Sequence, residues 1–309
     1  MTHTLALHGG AGTLPRDRMG PGEIEAHHAG LRAALLAGHR VLAAGGPALD
    51  AVTAAVVALE DDPLFNAGRG AVFTRAGGQE MDAAVMDGAT LRAGAVAGIR
   101  GPRNPVLAAR AVMEHSPHVL MAGEGALAFL RAHGVVFADD AYFHTDRRWD
   151  ALQRVLGAAG QVRDDADRHG TVGAVACDAA GLLAAATSTG GMTGKLPGRI
   201  GDTPLLGAGT WADGTVAMSA TGHGESFIRV VAGHELSARM RLAGQELDAA
   251  AAGVLDAVQA VGGDGGLVAV DRAGRVAMPF NSGGMYRGVI GADGVAHTGI
   301  YRDALLAHP

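Results

Sequence analysis

The sequence predicts an α+β fold in which antiparallel sheets are covered by helices. Strand-like apolar segments come in pairs joined by short turns, 171–177 with 182–188 and 266–270 with 276–280. Helix-like segments also come in pairs, and the two kinds alternate as blocks, not as single strand–helix–strand units. This order is typical of hairpin-built sheets with helices stacked on their outer faces, a layered sandwich.

The first half of the chain begins with a short buried strand, 5–7, that runs into a glycine loop at 8–12. Two helices are expected at 24–44 and 48–60, where apolar residues recur every three to four positions. Pro47 lies at the start of the second helix, where a missing N–H is tolerated. The other elements expected in this half are a hairpin within 71–99 that turns at 87–88 and helices at 105–114 and 120–131.

The second half begins after a segment, 160–170, whose only aliphatic residue besides alanine is Val162. Its charged side chains and lack of apolar residues predict an exposed linker. Thr171 follows directly, at the head of an otherwise apolar strand. Two further helices are expected at 227–242 and 247–261, between the two strand pairs.

The composition indicates a folded chain that does not bind nucleic acid. The 309 residues include 49 glycines without a three-residue period, and 48% of the residues are hydrophobic. Net charge is −6 and aromatic residues make up 4%, whereas nucleic-acid binding needs a basic surface and stacking platforms. Because the first twenty residues lack a signal-peptide pattern and no run of 18 apolar residues occurs, we expect a cytoplasmic location without membrane contact.

Most familiar catalytic motifs do not occur in the sequence. Cys177, the sole cysteine, lies in an apolar run and is interpreted as a small buried hydrophobe. The segment 190–196 resembles a phosphate loop, but only three residues separate Gly190 from Gly194, and Leu196 stands where a magnesium-binding hydroxyl is required. The histidines show no metal-ligand spacing. We therefore expect no cofactor for catalysis.

Small polar residues are concentrated in the second half of the chain. Arg199 and Asp202 lie three positions apart among glycines, which let a ligand approach the backbone. Glycine-rich turns with satisfied hydroxyls and a surface ion pair are the alternative interpretation. The remaining members of the cluster are Thr171, Thr187, Ser188, Thr189, Thr221, Gly222, His223 and Gly224.

Several segments, in order along the chain, resemble the plant-type (type III) asparaginases, also called isoaspartyl peptidases, of the N-terminal nucleophile hydrolase superfamily. The matching segments are His169–Val175, Thr187–Gly191, Pro197–Pro204, Gly207–Gly209, Thr221–Glu225, His8–Gly12, Leu64–Gly68 and Met81–Ala83. The resemblance implies a single domain over 1–309 with a four-layer αββα sandwich. It also implies self-cleavage between Gly170 and Thr171 into an α part, 1–170, and a β part, 171–309.

The resemblance also implies a mechanism. Thr171, once it is the new N-terminus, would be the nucleophile, and its freed α-amino group, with a pKa of about 7.7–8.0, would be the base. Thr189 would orient Thr171. The Thr221 hydroxyl and the Gly222 N–H would stabilise the oxyanion that acyl transfer develops.

The remaining implied roles concern substrate and ion. Arg199 would clamp the substrate α-carboxylate and Asp202 would pair with its α-ammonium group. Gly224 would make a backbone contact, and Asn66 would lie near the active site. A sodium ion would be held by the backbone carbonyl oxygens of Leu59, Glu60, Asp62, Phe65, Ala67 and Arg69.

The implied activity is hydrolysis of L-asparagine to L-aspartate and ammonia, together with cleavage of β-aspartyl dipeptides, by a pair of cleaved heterodimers. A glycosylasparaginase-type hydrolase and an uncleaved, non-enzymatic binding relative are the alternatives. The sequence departs from the family in a short linker before Thr171. It also has Ser282–Gly283 where a bulkier pair is expected near the substrate entrance.

Overall fold

A computed structural model describes residues 3–12, 16, 19–157 and 170–308. The expected linker at 160–170 lies outside these residues, apart from Gly170. The helices are α1 Pro21–Ala43, α2 Ala48–Asp61, α3 Pro105–His115, α4 Gly123–Ala132, α5 Asp140–Phe143, α6 Asp146–Gly157, α7 Gly224–Val230, α8 Ala232–Ala243 and α9 Leu247–Ala260. The strands are β1 Thr4–Gly12, β2 Met81–Asp87, β3 Ala93–Ile99, β4 Leu120–Ala122, β5 Val172–Cys177, β6 Leu183–Thr189, β7 Thr210–Ala212, β8 Val216–Gly222, β9 Gly265–Asp271, β10 Val276–Ala277, β11 Gly284–Gly291, β12 Ala296–Gly299 and β13 Leu306–His308.

The strands form two sheets that stack between two helical layers. The large sheet has the order β13-β12-β11-β1-β5-β6-β2-β3-β4, and the small sheet has the order β10-β9-β8-β7. Every pairing between these strands is antiparallel except that of β3 with β4. Helices α1 to α3 cover the large sheet, and α8 and α9 cover the small one. The predicted αββα sandwich is confirmed.

Three apolar cores separate the four layers and fix which way each strand residue faces. In β6, Ala184 and Ala186 belong to the core under α1 to α3, whereas Leu183 and Ala185 belong to the core between the sheets. Since successive strand residues face opposite sides, Thr187 and Thr189 continue the face that looks onto the small sheet. Polar residues of the strand end thus face the second sheet, not the helices.

The glycine run after the first strand is itself part of that strand, contrary to the loop expected at 8–12. Pairing with β11 carries β1 through to Gly12, with a bulge between His8 and Gly10, whereas the pairing with β5 ends at His8. Gly10 has a φ of +120°, and a Cβ there would lie 3.1 Å from the Gly170 Cα. Pairing with β11 therefore overrides the turn preference of glycine, and the run lies against the chain before β5.

Two expected helices are divided in the structure. The segment 120–131 starts as strand β4, which pairs with β3, and becomes helical only at Gly123. The segment 227–242 is interrupted at Val231, whose φ of +50° ends α7 and starts α8. A left-handed β-branched residue is rare, so no sequence pattern indicated this break. None of the helices in the described ranges has the length and apolar character that a membrane crossing requires.

Candidate active site

Thr171 and Thr189 lie side by side at the ends of two paired strands. Residues 172 and 188 are partners across β5 and β6, so the flanking threonines face each other on the side of the small sheet. The Thr171 hydroxyl donates to Thr189 Oγ1 at 3.2 Å, and the Thr189 hydroxyl donates to the Gly170 carbonyl at 3.0 Å. Both side chains are buried. The structure therefore brings together the two threonines that the sequence analysis selected.

Asn66 connects three separate segments at this point. Its Nδ2 donates to the carbonyl oxygens of Gly170 at 2.8 Å and Gly191 at 2.7 Å. Its Oδ1 accepts the Val72 N–H at 3.0 Å, and its own carbonyl accepts the Gly190 N–H at 3.1 Å. All polar groups of the amide side chain are therefore used, and the Gly170 carbonyl receives two hydrogen bonds, from Asn66 and from Thr189.

Thr221 and Gly222 end strand β8 on the facing sheet. The Ala11 N–H donates to Thr221 Oγ1 at 3.0 Å, which leaves the hydroxyl proton available for another acceptor. Gly222 has a φ of +130°, and a Cβ there would lie 2.4 Å from the Gly265 Cα. Only glycine fits this position, because both its backbone angle and its surroundings exclude a side chain.

Arg199 is paired with Glu225 and not with the nearby Asp202. Its Nε and Nη2 donate to the two carboxylate oxygens of Glu225 at 2.9 and 2.8 Å. These hydrogen bonds hold the pKa of Glu225 below its ordinary value. Two-point pairing fixes the plane of the guanidinium group. Glu225 was part of a matching sequence segment, but nothing in its position there indicated this contact.

Asp202 is a buried carboxylate with an unpartnered oxygen. It is 5% exposed, and among the described residues its Oδ2 has no hydrogen-bond partner. Burial raises the pKa of Asp202 to about 7. Glycines at 209 and 224 leave room for its oxygens, because a Cβ at either place would lie 2.7 Å from one of them. A buried carboxylate with a free oxygen suits a cationic ligand.

A second buried carboxylate, Asp82, fixes the backbone beside Asp202. It accepts the N–H groups of Gly98 at 2.8 Å and Gly201 at 3.4 Å. Burial raises the pKa of Asp82, and the nearby Lys195 opposes that rise. The Lys195 ammonium donates to the Glu80 carbonyl at 2.7 Å, so this lysine is engaged with the backbone.

The backbone of the proposed sodium loop is tightly folded between α2 and η1, a 3-10 turn at Gly68–Gly70. A side chain at Gly70 would collide with the Phe65 carbonyl oxygen, and one at Gly68 would lie 2.5 Å from that of Glu60. These carbonyl oxygens form a cradle that a Cβ would fill. In the described part of the chain no three His, Cys, Asp or Glu side chains are grouped for a metal.

The departure at Ser282–Gly283 lies close to the candidate oxyanion site. The Ser282 hydroxyl donates to the Gly284 carbonyl at 2.9 Å. Asn281 next to it binds the backbone of Gly265, donating to its carbonyl at 2.9 Å and accepting its N–H at 2.8 Å. Gly265 is the register partner of Gly222. The small residues therefore stand one strand away from the oxyanion glycine.

Comparisons with known proteins show that the chain is a hydrolase. Residues 1–300 match the sequence model of the asparaginase family. The chain belongs to this family of the N-terminal nucleophile hydrolase superfamily. It is 50% identical over 308 residues to the isoaspartyl peptidases of Salmonella typhimurium and Escherichia coli, covering 97% of this chain and 98% and 96% of theirs. It is also 40% identical to the isoaspartyl peptidase/L-asparaginase of Xenopus laevis over 97% of this chain and 96% of that protein.

We predict that Asp202→Asn stabilises the fold at alkaline pH. The unfolded chain keeps the ordinary aspartate pKa of about 4, whereas the folded value is about 7. The stability that Asp202 contributes is therefore greatest below pH 4, is lost as pH rises to about 7 and stays constant above. The variant should exceed the parent at pH 8 by about 2–4 kcal/mol in free energy of unfolding, with a smaller gap at pH 5.

Denaturant unfolding at both pH values measures this, with Thr171→Ala in both proteins so that each is compared as one chain. A gap that does not change between pH 5 and pH 8 would show that Asp202 is ionised in the folded, ligand-free protein.

Proposed function

We propose that this chain is a self-cleaving threonine amidohydrolase that hydrolyses L-asparagine and β-aspartyl dipeptides. The names of the relatives, isoaspartyl peptidase and isoaspartyl peptidase/L-asparaginase, support the substrate class. The observation that carries the proposal is the arrangement at the Gly170–Thr171 peptide. There the Thr171 hydroxyl is bonded to Thr189, and the carbonyl it would attack is held by two donors.

Self-cleavage begins with attack of the Thr171 oxygen on the Gly170 carbonyl carbon. The carbonyl oxygen gains negative charge, which the Asn66 amide and the Thr189 hydroxyl stabilise through the bonds they already make. The hydroxyl proton moves to the Thr171 nitrogen as the C–N bond breaks, which leaves an ester between Gly170 and Thr171. Water hydrolyses the ester, and Thr171 keeps its hydroxyl and gains a free α-amino group.

Amide hydrolysis then uses the new N-terminus. The α-amino group of Thr171 accepts the hydroxyl proton as the oxygen attacks the substrate amide carbon. The oxyanion is stabilised by the Thr221 hydroxyl, whose proton is not needed by Ala11, and by the Gly222 N–H. Ammonia or an amino acid leaves with the transferred proton, and water releases aspartate from the acyl-enzyme.

The substrate head group is recognised by opposite charges. Arg199 binds the α-carboxylate with N–H groups left by its pairing to Glu225. Asp202 offers its unpartnered oxygen to the α-ammonium group, and ligand charge draws this carboxyl into its ionised form. Gly224 lets the backbone come close, since a Cβ there would crowd both side chains.

The loop of Leu59, Glu60, Asp62, Phe65, Ala67 and Arg69 is proposed to hold sodium through its carbonyl oxygens. The ion would supply a positive charge for these carbonyl oxygens to coordinate, and so rigidity for the loop that carries Asn66. The cradle around Gly68 and Gly70 supports this. Two cleaved heterodimers are proposed to pair, and the enzyme is proposed to act in the cytoplasm. Light scattering and cell fractionation test these two points.

The first prediction of this proposed function concerns the nucleophile. Wild type should separate into two fragments whose masses sum to that of the 31.0 kDa chain plus one water, the second beginning with Thr171. Thr171→Ala should stay intact and hydrolyse no L-asparagine, since it lacks the attacking oxygen. Intact mass spectrometry and ammonia release measure this. Hydrolysis by Thr171→Ala would disprove the mechanism, and a folded wild type that stays whole and inactive would favour the binding alternative.

The second prediction concerns Asn66. Asn66→Ala should slow self-cleavage by about 100-fold or more, because one donor to the Gly170 oxyanion is lost. The fraction cleaved over time, read on denaturing gels, measures the rate. Asn104→Ala is the matched control, since its Nδ2 binds Asp61 at 3.2 Å away from the threonines. Equal cleavage rates in the two variants would remove Asn66 from the cleavage step.

The third prediction concerns the carboxylate clamp. Arg199→Ala should raise the KM for L-asparagine by about 10–100-fold, as expected for loss of charge-assisted hydrogen bonds. Arg199→Lys should recover only part of the binding, because an ammonium group cannot form the planar two-point contact. Steady-state kinetics measure both. Arg239→Ala, which breaks an ion pair with Glu235, is the control, and an unchanged KM in Arg199→Ala contradicts the clamp.

A further inference from the structure

His8 is a buried histidine that contacts the nucleophile's own backbone. Its Nδ1 lies 2.8 Å from the Thr171 carbonyl oxygen, and its Nε2 lies 2.8 Å from Ser219 Oγ. The side chain is completely buried. The residue occurs in the sequence segment 8–12 that resembles the family, but the mechanism above leaves it without a role.

The protonation state of His8 follows from its partners. A carbonyl oxygen only accepts hydrogen bonds, so Nδ1 carries a proton and donates it to Thr171. Burial lowers the pKa of His8 to about 3, so the ring is neutral at physiological pH and Nε2 has no proton. Ser219 therefore donates its hydroxyl proton to Nε2, which fixes the tautomer that carries its proton on Nδ1.

The hydrogen-bonded chain continues across the interior between the sheets. Ser219 Oγ lies 2.8 Å from Thr187 Oγ1, which lies 2.7 Å from Thr210 Oγ1, and this hydroxyl is 2.9 Å from the Thr203 carbonyl oxygen. All three hydroxyl residues are fully buried. Because Ser219 donates its proton to His8, only the hydroxyl protons of Thr187 and Thr210 remain for the other three contacts. These two hydroxyl groups can therefore reorient, whereas the hydrogen bond from Ser219 to His8 is fixed.

Strand β5, next to His8, has a glycine where these hydrogen-bonded side chains lie close to it. Gly173 is the register partner of His8. A Cβ at Gly173 would lie 2.8 Å from the His8 Nε2 and would collide with Ser219 Oγ. A glycine inside an apolar strand weakens it unless something approaches closely, and here the imidazole and the serine hydroxyl do so. The hydrogen-bonded series that starts at His8 ends at Thr203, which directly follows Asp202 in the sequence.

We propose that His8 is a positioning residue that fixes the peptide plane of Thr171, both before self-cleavage and in the mature enzyme. Cleavage removes the backbone restraint on the amino side of Thr171. The Thr171 carbonyl is then the backbone group whose position determines where the amino group and hydroxyl of Thr171 lie. Thr189 restrains only the Thr171 side chain. The inference rests on the proposed function, because it assigns His8 to the orientation of that nucleophile.

His8→Leu should lower both the self-cleavage rate and the kcat for L-asparagine. We expect a loss of about 10–100-fold in each, the size that small misplacements of a reacting group produce, with KM within about twofold because Arg199 and Asp202 are untouched. His8→Asn should recover most of the activity, because its amide nitrogen can replace Nδ1 as the donor to Thr171. Ser219→Ala, which frees Nε2, should lie between these two variants.

His28→Leu is the matched control. It removes a buried imidazole whose Nδ1 binds Thr298 Oγ1 at 2.7 Å, between α1 and β12, and it should lower Tm without lowering kcat. Equal kcat values in His8→Leu and His28→Leu would overturn the proposal. If His8→Leu does not fold, the test compares Ser219→Ala with His8→Asn. A lower kcat in Ser219→Ala than in His8→Asn supports the proposal, and equal kcat values in these two variants overturn it. A wild type that neither cleaves itself nor hydrolyses amides would instead refute the proposed function.

Discussion

The side-chain amide of Asn66 is the contact on which the arrangement of the site depends. It links the loop after α2 to the carbonyl of Gly170, 104 residues away, and to that of Gly191, 125 residues away. The Val72 N–H holds the amide in one orientation. Because every polar group of this buried amide is used, a shift of any of the three segments leaves a buried donor or acceptor unpaired, which costs about 1–3 kcal/mol each.

The proposed substrate half of the site contains two buried carboxyl groups, of which the fold compensates only one. Asp202 has an orphaned oxygen, and Asp82 next to it is compensated by backbone N–H groups and Lys195. A protein selected only for stability would not keep the first of these, because an unpaired buried carboxylate is unfavourable. In the proposed function, that free energy is regained when the ammonium group of the substrate pairs with Asp202. Stability and recognition are therefore opposed at Asp202.

Most of the fold could be predicted from the sequence, but few of the contacts between distant residues could. The hairpin of 171–177 and 182–188 could be predicted because both strands are apolar throughout and the turn between them is short. Strands β11 and β12 were not predicted, because the glycine-rich segment 284–299 forms strands through the pairing of β11 with β1 and of β12 with β11. The partner of Arg199 could not be predicted either, because Glu225 lies 26 residues away in the sequence. The charged residue close to Arg199 in the sequence is Asp202, three positions away.

The two reactions of this enzyme, as proposed, share a nucleophile but differ in the groups that stabilise the oxyanion. The Gly170 oxygen is held by Asn66 and Thr189 on the large-sheet side, whereas Thr221 and Gly222 belong to the facing small sheet. Thr171 must therefore present one oxygen to two acyl groups bound in different places. A residue that fixes the Thr171 carbonyl serves both reactions without favouring either acyl group. His8 meets this requirement because it binds neither carbonyl that is attacked.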